Sequence, residues 1–205
     1  MEINLISDQI LIIANGESIL NLKLKKEINS FPIVARINNY SITGYEEYIG
    51  TKTDIWFNGA NQALKKRTNK PTKVIVFVPL EILNRKGEKI YDQVSRRLNL
   101  NNNQYTLIST EMMAKFEQQL NVKRPTTGTS AILWALENYQ QVIIHGFDFF
   151  IDTKLHYNES LLIKWLINYG IIKKASKHDM TAEKQYIEMQ IQENNIIQLK
   201  DYLNL

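Results

Sequence analysis

Six short runs of β-branched and aromatic residues punctuate this chain, and most are followed by a helix-like stretch. Gln9–Ala14 (QILIIA), Phe31–Asn38 (FPIVARIN), Thr53–Asn58 (TDIWFN), Lys73–Val78 (KVIVFV), Tyr105–Ile108 and Gln141–His145 (QVIIH) read as strands. The runs are continuous rather than alternating, as expected of strands buried on both faces. Between them lie helical patterns over Ala60–Arg67, Glu88–Leu98, Thr110–Leu120 and Gly128–Tyr139, with Thr110 and Thr127 as candidate N-caps. Strands that alternate with helices predict an α/β fold, a doubly wound and mostly parallel sheet. After Phe150 the pattern changes. Ile151–Glu159 is polar, Ser160–Ile172 reads as an apolar helix, and Lys173, Lys174 and Lys177 form a basic loop. Thr181–Glu193 reads as a polar helix and Asn195–Leu199 as a last short strand.

The length of 205 residues suits one domain with a sizeable core. It divides into a core over 1–150, a loop or lid region over 151–180, and a C-terminal helix and tail over 181–205. The chain has no cysteine, which excludes thiolate catalysis, a disulfide scaffold and a Cys-ligated zinc. Met1–Asn15 lacks a basic start, and no run reaches the roughly 20 apolar residues that span a bilayer. A cytoplasmic location is therefore expected, with peripheral contact at the inner face of a membrane as an extension. The net charge of +4 favours anionic partners without choosing among them. The basic runs Lys65-Lys66-Arg67 and Lys173-Lys174 are short and lack interleaved aromatics, so no nucleic-acid partner is expected.

In a parallel sheet the carboxyl ends of the strands share one edge, and ligands bind there. Asn15, Asn38, Asn58 and Asp148 all fall at or just past such ends. Amides supply both donors and acceptors, which suits a nucleobase and ribose. The same residue types also end strands simply because they form turns. Asn15-Gly16-Glu17-Ser18 gives a glycine turn after the first strand, without a full dinucleotide fingerprint. Pro125-Thr126-Thr127-Gly128 opens the fourth predicted helix. A hydroxyl-rich turn at a helix N-terminus either caps the helix or holds an anion. Gly146 and Asp148 end the stretch that follows.

Three histidines are present. His145 lies inside a strand and is read as structural. His156 and His178 lie in polar segments after the sheet. His178 precedes a helix for which Asp179 is a natural cap, and a histidine titrating near neutrality is a competent base. No metal is expected, because Asp148-x-x-x-Asp152 lacks tight acidic spacing. No Gly-x-Ser-x-Gly elbow occurs, which disfavours a serine hydrolase.

Four segments in order resemble the sialyltransferases of glycosyltransferase family 29 and, more distantly, the bacterial enzymes of family 42. IIANGES, KEINSFPIVARIN and TGYEEYIGTKTDIWFN, within residues 12–58, are similar to the large motif of family 29. RPTTGTSAILWAL with VIIHGFDFF resembles the small motif, His156-Tyr157-Asn158-Glu159 the third, and His178 to Glu183 (HDMTAE) the last. The resemblance implies a single-domain, Rossmann-like transferase of a GT-A-like variant. It implies CMP-activated sialic acid, or a related keto-sugar acid, as donor and a glycan or lipid-linked saccharide as acceptor. It also implies no cofactor and no metal, an inverting displacement, and the possibility of an oligomer. His178 would be the base, and His156 and Tyr157 would hold the leaving phosphate. Thr126, Thr127 and the N–H groups at Gly128 would hold the donor carboxylate. Asn15, Gly16, Ser18, Asn38, Asn58 and Gly146 would hold the nucleotide, with Asp148 near the ribose or cytosine. CMP-Kdo, pseudaminate or legionaminate donors share the CMP and the carboxylate and stay open, as does a degenerate nucleotide- or glycan-binding protein without turnover. Animal members carry a membrane anchor and a cysteine pair that are missing here, which points to a soluble, bacterial-type form. Phe150 stands where family 42 has a tyrosine, and the chain is shorter than typical members.

Overall fold

The β-branched runs form seven parallel strands in one sheet. The computed structural model describes residues 8–148 and 180–205. The strands are β1 (Gln9–Ile13), β2 (Val34–Ile37), β3 (Ile55–Asn58), β4 (Lys73–Val76), β5 (Thr106–Leu107), β6 (Gln141–His145) and β7 (Ile196–Gln198), in the order β5-β4-β3-β2-β1-β6-β7. Every pairing is parallel. β1 lies between β2 and β6, with Ile13 in register with Arg36 on one side and His145 on the other. From β1 the chain steps outward to β5, then crosses back to β6. The order of strands thus reverses between β1 and β6, where open α/β sheets have their crevice.

Alternation along each strand sends side chains to two layers. Ile10, Ile12, Ala35, Ile37 and Phe57 join a large core with α5 (Thr110–Leu120), α6 (Thr127–Asn138) and α7 (Met180–Gln192). Leu11, Ile13, Val34 and Ile143 meet a smaller layer containing Leu24, Ile28 and Leu199. These three belong to or flank α1 (Lys25–Ser30) and α8 (Leu199–Tyr202). Three further helices, α2 (Glu46–Ile49), α3 (Leu80–Lys86) and α4 (Lys89–Leu98), lie between the strands that lead out to β5. The C-terminal segment is part of the sheet, because β7 pairs with β6. No described helix is long and apolar enough to cross a membrane.

Several sequence expectations need correction. Ala60–Arg67 is not helical; the segment runs as turns and irregular chain. Ala60 takes a left-handed φ of +42°, which no helix accommodates. Asn39 fastens the same loop, accepting from the Lys65 N–H at 2.7 Å and donating to the Ala63 carbonyl at 2.8 Å. The caps also shift by one residue. Ser109 rather than Thr110 caps α5, and Thr126 rather than Thr127 caps α6. Helices α1, α2 and α3 have four to seven residues, too short to show a period in the sequence.

Arg67 closes the 59–70 loop against the sheet. Its guanidinium carbon lies 3.4 Å from the centre of the Tyr40 ring and 5.4 Å from that of Trp56, and it donates to the Tyr40 carbonyl. A lysine cannot reproduce a planar group stacked on a ring. Arg67→Lys is expected to cost about 1 kcal/mol, seen as a fall in melting temperature of roughly 2–4 °C.

Candidate active site on the carboxyl edge

β1, β2, β3 and β6 end beside one another, and each end is held by its neighbour. The Ala14 N–H donates to the His145 carbonyl at 2.8 Å, and the Gly16 N–H to the Gly146 carbonyl at 2.9 Å. Gly146 turns at φ +72°, where a side chain would be strained, and an added Cβ would sit 2.2 Å from Ile19. A Cβ on Gly16 would lie 2.3 Å from the Asp148 carboxyl carbon, so glycine leaves the Asp148 carboxylate room to lie over the β1 turn. Asp148 accepts from the Ser18 N–H at 3.0 Å and from its hydroxyl. Ser18 and Asp148 were read separately as nucleotide contacts; the structure makes them partners of one another.

The three asparagines have different roles. Asn38 is a backbone device: at φ +49° its carbonyl accepts from the Trp56 indole at 2.8 Å and its side chain from the Gly59 N–H at 3.1 Å. Asn15 donates to the Ile37 carbonyl at 2.9 Å, which leaves its Oδ1 without a partner among the described residues. Asn58, fully buried, accepts from the Ala60 N–H at 3.1 Å and holds that residue in its left-handed conformation. Its Nδ2 has no partner among the described residues. A buried donor or acceptor left unpaired costs about 1–3 kcal/mol, and this edge carries one of each.

The N-terminus of α6 meets this edge from above. A Cβ on Gly59 would come within 2.9 Å of the Thr127 hydroxyl, and one on Gly128 within 3.1 Å of the Phe147 ring. The approach at Gly59 is the closer of the two, and a side chain there would displace the Thr127 hydroxyl. Ser130, one turn along α6, is fully buried with its hydroxyl unpartnered among the described residues.

Thr126 is already engaged. Glu183 on α7 is fully buried, and both its oxygens accept from the Thr126 N–H at 3.1 Å. One oxygen also accepts from the Thr126 hydroxyl at 2.6 Å and from the Thr129 hydroxyl. The anion at this end of the helix is thus a side chain of the protein itself, where the dipole and the free N–H groups favour a carboxylate. Sequence reading gave Thr126 to a ligand and gave Glu183 no binding role. The pointer was present in Thr126-x-x-Thr129, which places two hydroxyls on one turn.

His145 ends β6 with its ring largely enclosed and its Nε2 unpartnered among the described residues. Burial pushes its pKa down from 6.5 to about 4; Asp148 pulls it up and Arg36 pushes it further down. Arg36 itself is structural, donating to the Ile49 carbonyl at 2.6 Å and the Thr53 hydroxyl at 2.9 Å. His156, Tyr157, His178 and Phe150 lie outside the described residues.

Comparisons with known proteins agree with this architecture. A mammalian sialyltransferase crystal structure superposes with a TM-score of 0.70 at 17% identity, covering 95% of this chain and 69% of its own. The sialyltransferase Cst-I of Campylobacter jejuni gives 0.58 at 17%, covering 94% of this chain and 76% of its own. At such identity the likeness is one of fold. The mouse type 2 lactosamine alpha-2,3-sialyltransferase is 26% identical over 95% of this chain. The human CMP-N-acetylneuraminate-beta-galactosamide-alpha-2,3-sialyltransferase 4 is 25% identical over 87%. The chain spans 64% and 61% of the lengths of these two relatives. The model of glycosyltransferase family 29 (sialyltransferase) matches residues 8–195, from the first strand to the end of the helix that carries Glu183. With a doubly wound parallel sheet, a polar carboxyl edge at the crossover and that match over nearly its whole length, the chain belongs to glycosyltransferase family 29, the sialyltransferases.

Proposed function

We propose that this protein transfers sialic acid, or a related keto-sugar acid, from its CMP-activated donor to a hydroxyl of a glycan, with inversion and without a metal. The observation that carries the reading is the pair of unpaired amide atoms on the carboxyl edge, Asn15 Oδ1 and Asn58 Nδ2. An acceptor and a donor fixed on rigid strand ends suit the polar edge of a pyrimidine nucleotide. The donor carboxylate is assigned to the Thr127 hydroxyl and to the first N–H groups of α6, since Glu183 takes the contacts of Thr126.

In the reaction, the acceptor oxygen attacks the anomeric carbon as the bond from that carbon to the CMP phosphate breaks. His178 takes the acceptor's proton, and CMP leaves with the bonding pair. His156 and Tyr157 are assigned to the departing phosphate, whose developing charge needs donors aimed at it.

A panel of CMP, CDP, UMP and GMP tests the nucleotide. A ligand at 100 times its dissociation constant stabilises the native state by about 2.7 kcal/mol. For a protein of this size that is a rise of roughly 5–10 °C in melting temperature. The expected result is a shift with CMP, reduced in Asn58→Ala, and little with GMP. Equal shifts with all four, or none with CMP, would sink the assignment. Release of CMP is then scored with CMP-sialic acid, CMP-Kdo and CMP-pseudaminate against a galactoside. CMP binding without release from any donor would make this a binding protein instead, and full transfer by His178→Ala would remove that residue as the base.

A further inference from the structure

A second cleft opens at the opposite end of α6. α6 has 12 residues, and at 1.5 Å per residue its ends are roughly 18 Å apart. Its first turn meets the carboxyl edge, whereas Leu136, Glu137 and Tyr139 line a cleft of about 430 Å³ at the amino end of the sheet, with α5 and α7 as walls. That volume lies within the range of small-molecule sites.

The cleft is polar, and its lining offers no free cation among the described residues. Its charged lining residues, Lys115 and Glu137, pair with each other at 2.6 Å, and Glu193 beside it accepts from the Gln190 and Asn195 amides at 3.3 and 3.1 Å, so nothing is left to hold a phosphate or a carboxylate. The rest of the polar lining consists of amides and two tyrosines. Amides are donors and acceptors at once, the complement of a ligand built from hydroxyl groups.

The aromatic walls are fixed in place. Tyr139 sits edge-on to Trp134, with ring centres 6.0 Å apart and planes at 62°. The Tyr186 hydroxyl accepts from the Gln119 amide at 2.6 Å. Gln190 is buried and accepts from Asn195 at 3.1 Å. Two tyrosines held in place, with neutral amides around them, give an uncharged site for a sugar that is largely formed before a ligand arrives, which lowers the ordering cost of binding.

We propose that this cleft binds a neutral saccharide, separately from the nucleotide and the reacting hydroxyl at the carboxyl edge. It rests on the lining of the cleft alone and does not depend on the donor proposed above. The probe is N-acetyllactosamine, titrated into the full chain and followed by amide chemical shifts, with and without saturating CMP. Shifts are expected at Gln119, Tyr186 and Asn195 under both conditions. Tyr186→Ala is expected to raise the dissociation constant at least tenfold. Gln140→Ala, at an exposed lining position, is expected to raise it severalfold with an unchanged melting temperature. Asn58→Ala, on the other edge, is expected to leave it unchanged. Shifts confined to the carboxyl edge, loss of binding in Asn58→Ala alone, or no shift at the cleft up to the solubility limit of the disaccharide would each overturn the assignment.

Discussion

Glu183→Ala is expected to lower the melting temperature by roughly 10 °C, the largest effect of any single substitution considered. The buried carboxylate accepts from the Thr126 N–H, the Thr126 hydroxyl and the buried Thr129 hydroxyl. Alanine would strand those donors, and buried unsatisfied donors cost about 1–3 kcal/mol each. Allowing for partial relaxation, the sum is about 3–4 kcal/mol, and about 3 °C is lost per kcal/mol at this chain length. Glu183→Gln keeps the shape but turns an NH₂ group toward donors, so it should fall between the two. Thermal denaturation of the three proteins measures the order. If the alanine variant melted with the wild type, the link from α7 to α6 would not be what holds these helices together.

The second large effect is a loss of stability in acid that originates at His145. Burial lowers its pKa from 6.5 to about 4 in the folded protein. Unfolding exposes the ring to water, so below pH 6.5 the unfolded chain binds a proton that the folded chain refuses. Stability is therefore unaffected by this group above pH 6.5. It falls as the pH drops from 6.5 to 4, and changes no further below. The window is about 2.5 pH units, and at 1.36 kcal/mol per unit the loss is about 3 kcal/mol. His145→Leu removes the titrating group and should flatten the urea-unfolding free energy across that window. An equally steep decline in the leucine variant would place the acid sensitivity elsewhere.

The sheet was legible because its strands are buried on both faces. Runs such as QILII and QVIIH have little other use in a soluble chain, and their boundaries came out within a few residues. The carboxyl edge was legible for the same reason, since the strand ends of a parallel sheet coincide. Which atoms stay unpaired was not. Asn15, Asn38 and Asn58 look alike in the sequence, yet a left-handed turn consumes the Asn38 side chain, while the other two each keep one atom unpaired. The Glu183 contact joins residues 57 apart in the chain, and no local pattern encodes such a pairing. The false helix over Ala60–Arg67 had good helix formers in Ala63, Leu64 and Lys65. Tertiary bonds from Asn39 and stacking of Arg67 outweighed their propensity.

Both asparagines with an unpaired atom on the carboxyl edge are followed by glycine, Asn15-Gly16 and Asn58-Gly59. Asn-Gly is the dipeptide most prone to deamidation, because the glycine nitrogen can reach back to the side-chain carbonyl and close a succinimide ring. Here the Gly16 nitrogen is tied to the Gly146 carbonyl and the Gly59 nitrogen to Asn38 Oδ1. The strand-end bonds that shape the edge also occupy both nucleophiles. Chemical ageing at these two positions is thereby coupled to opening of the fold: each excursion that frees the glycine nitrogens exposes the same two amides to conversion into carboxylates.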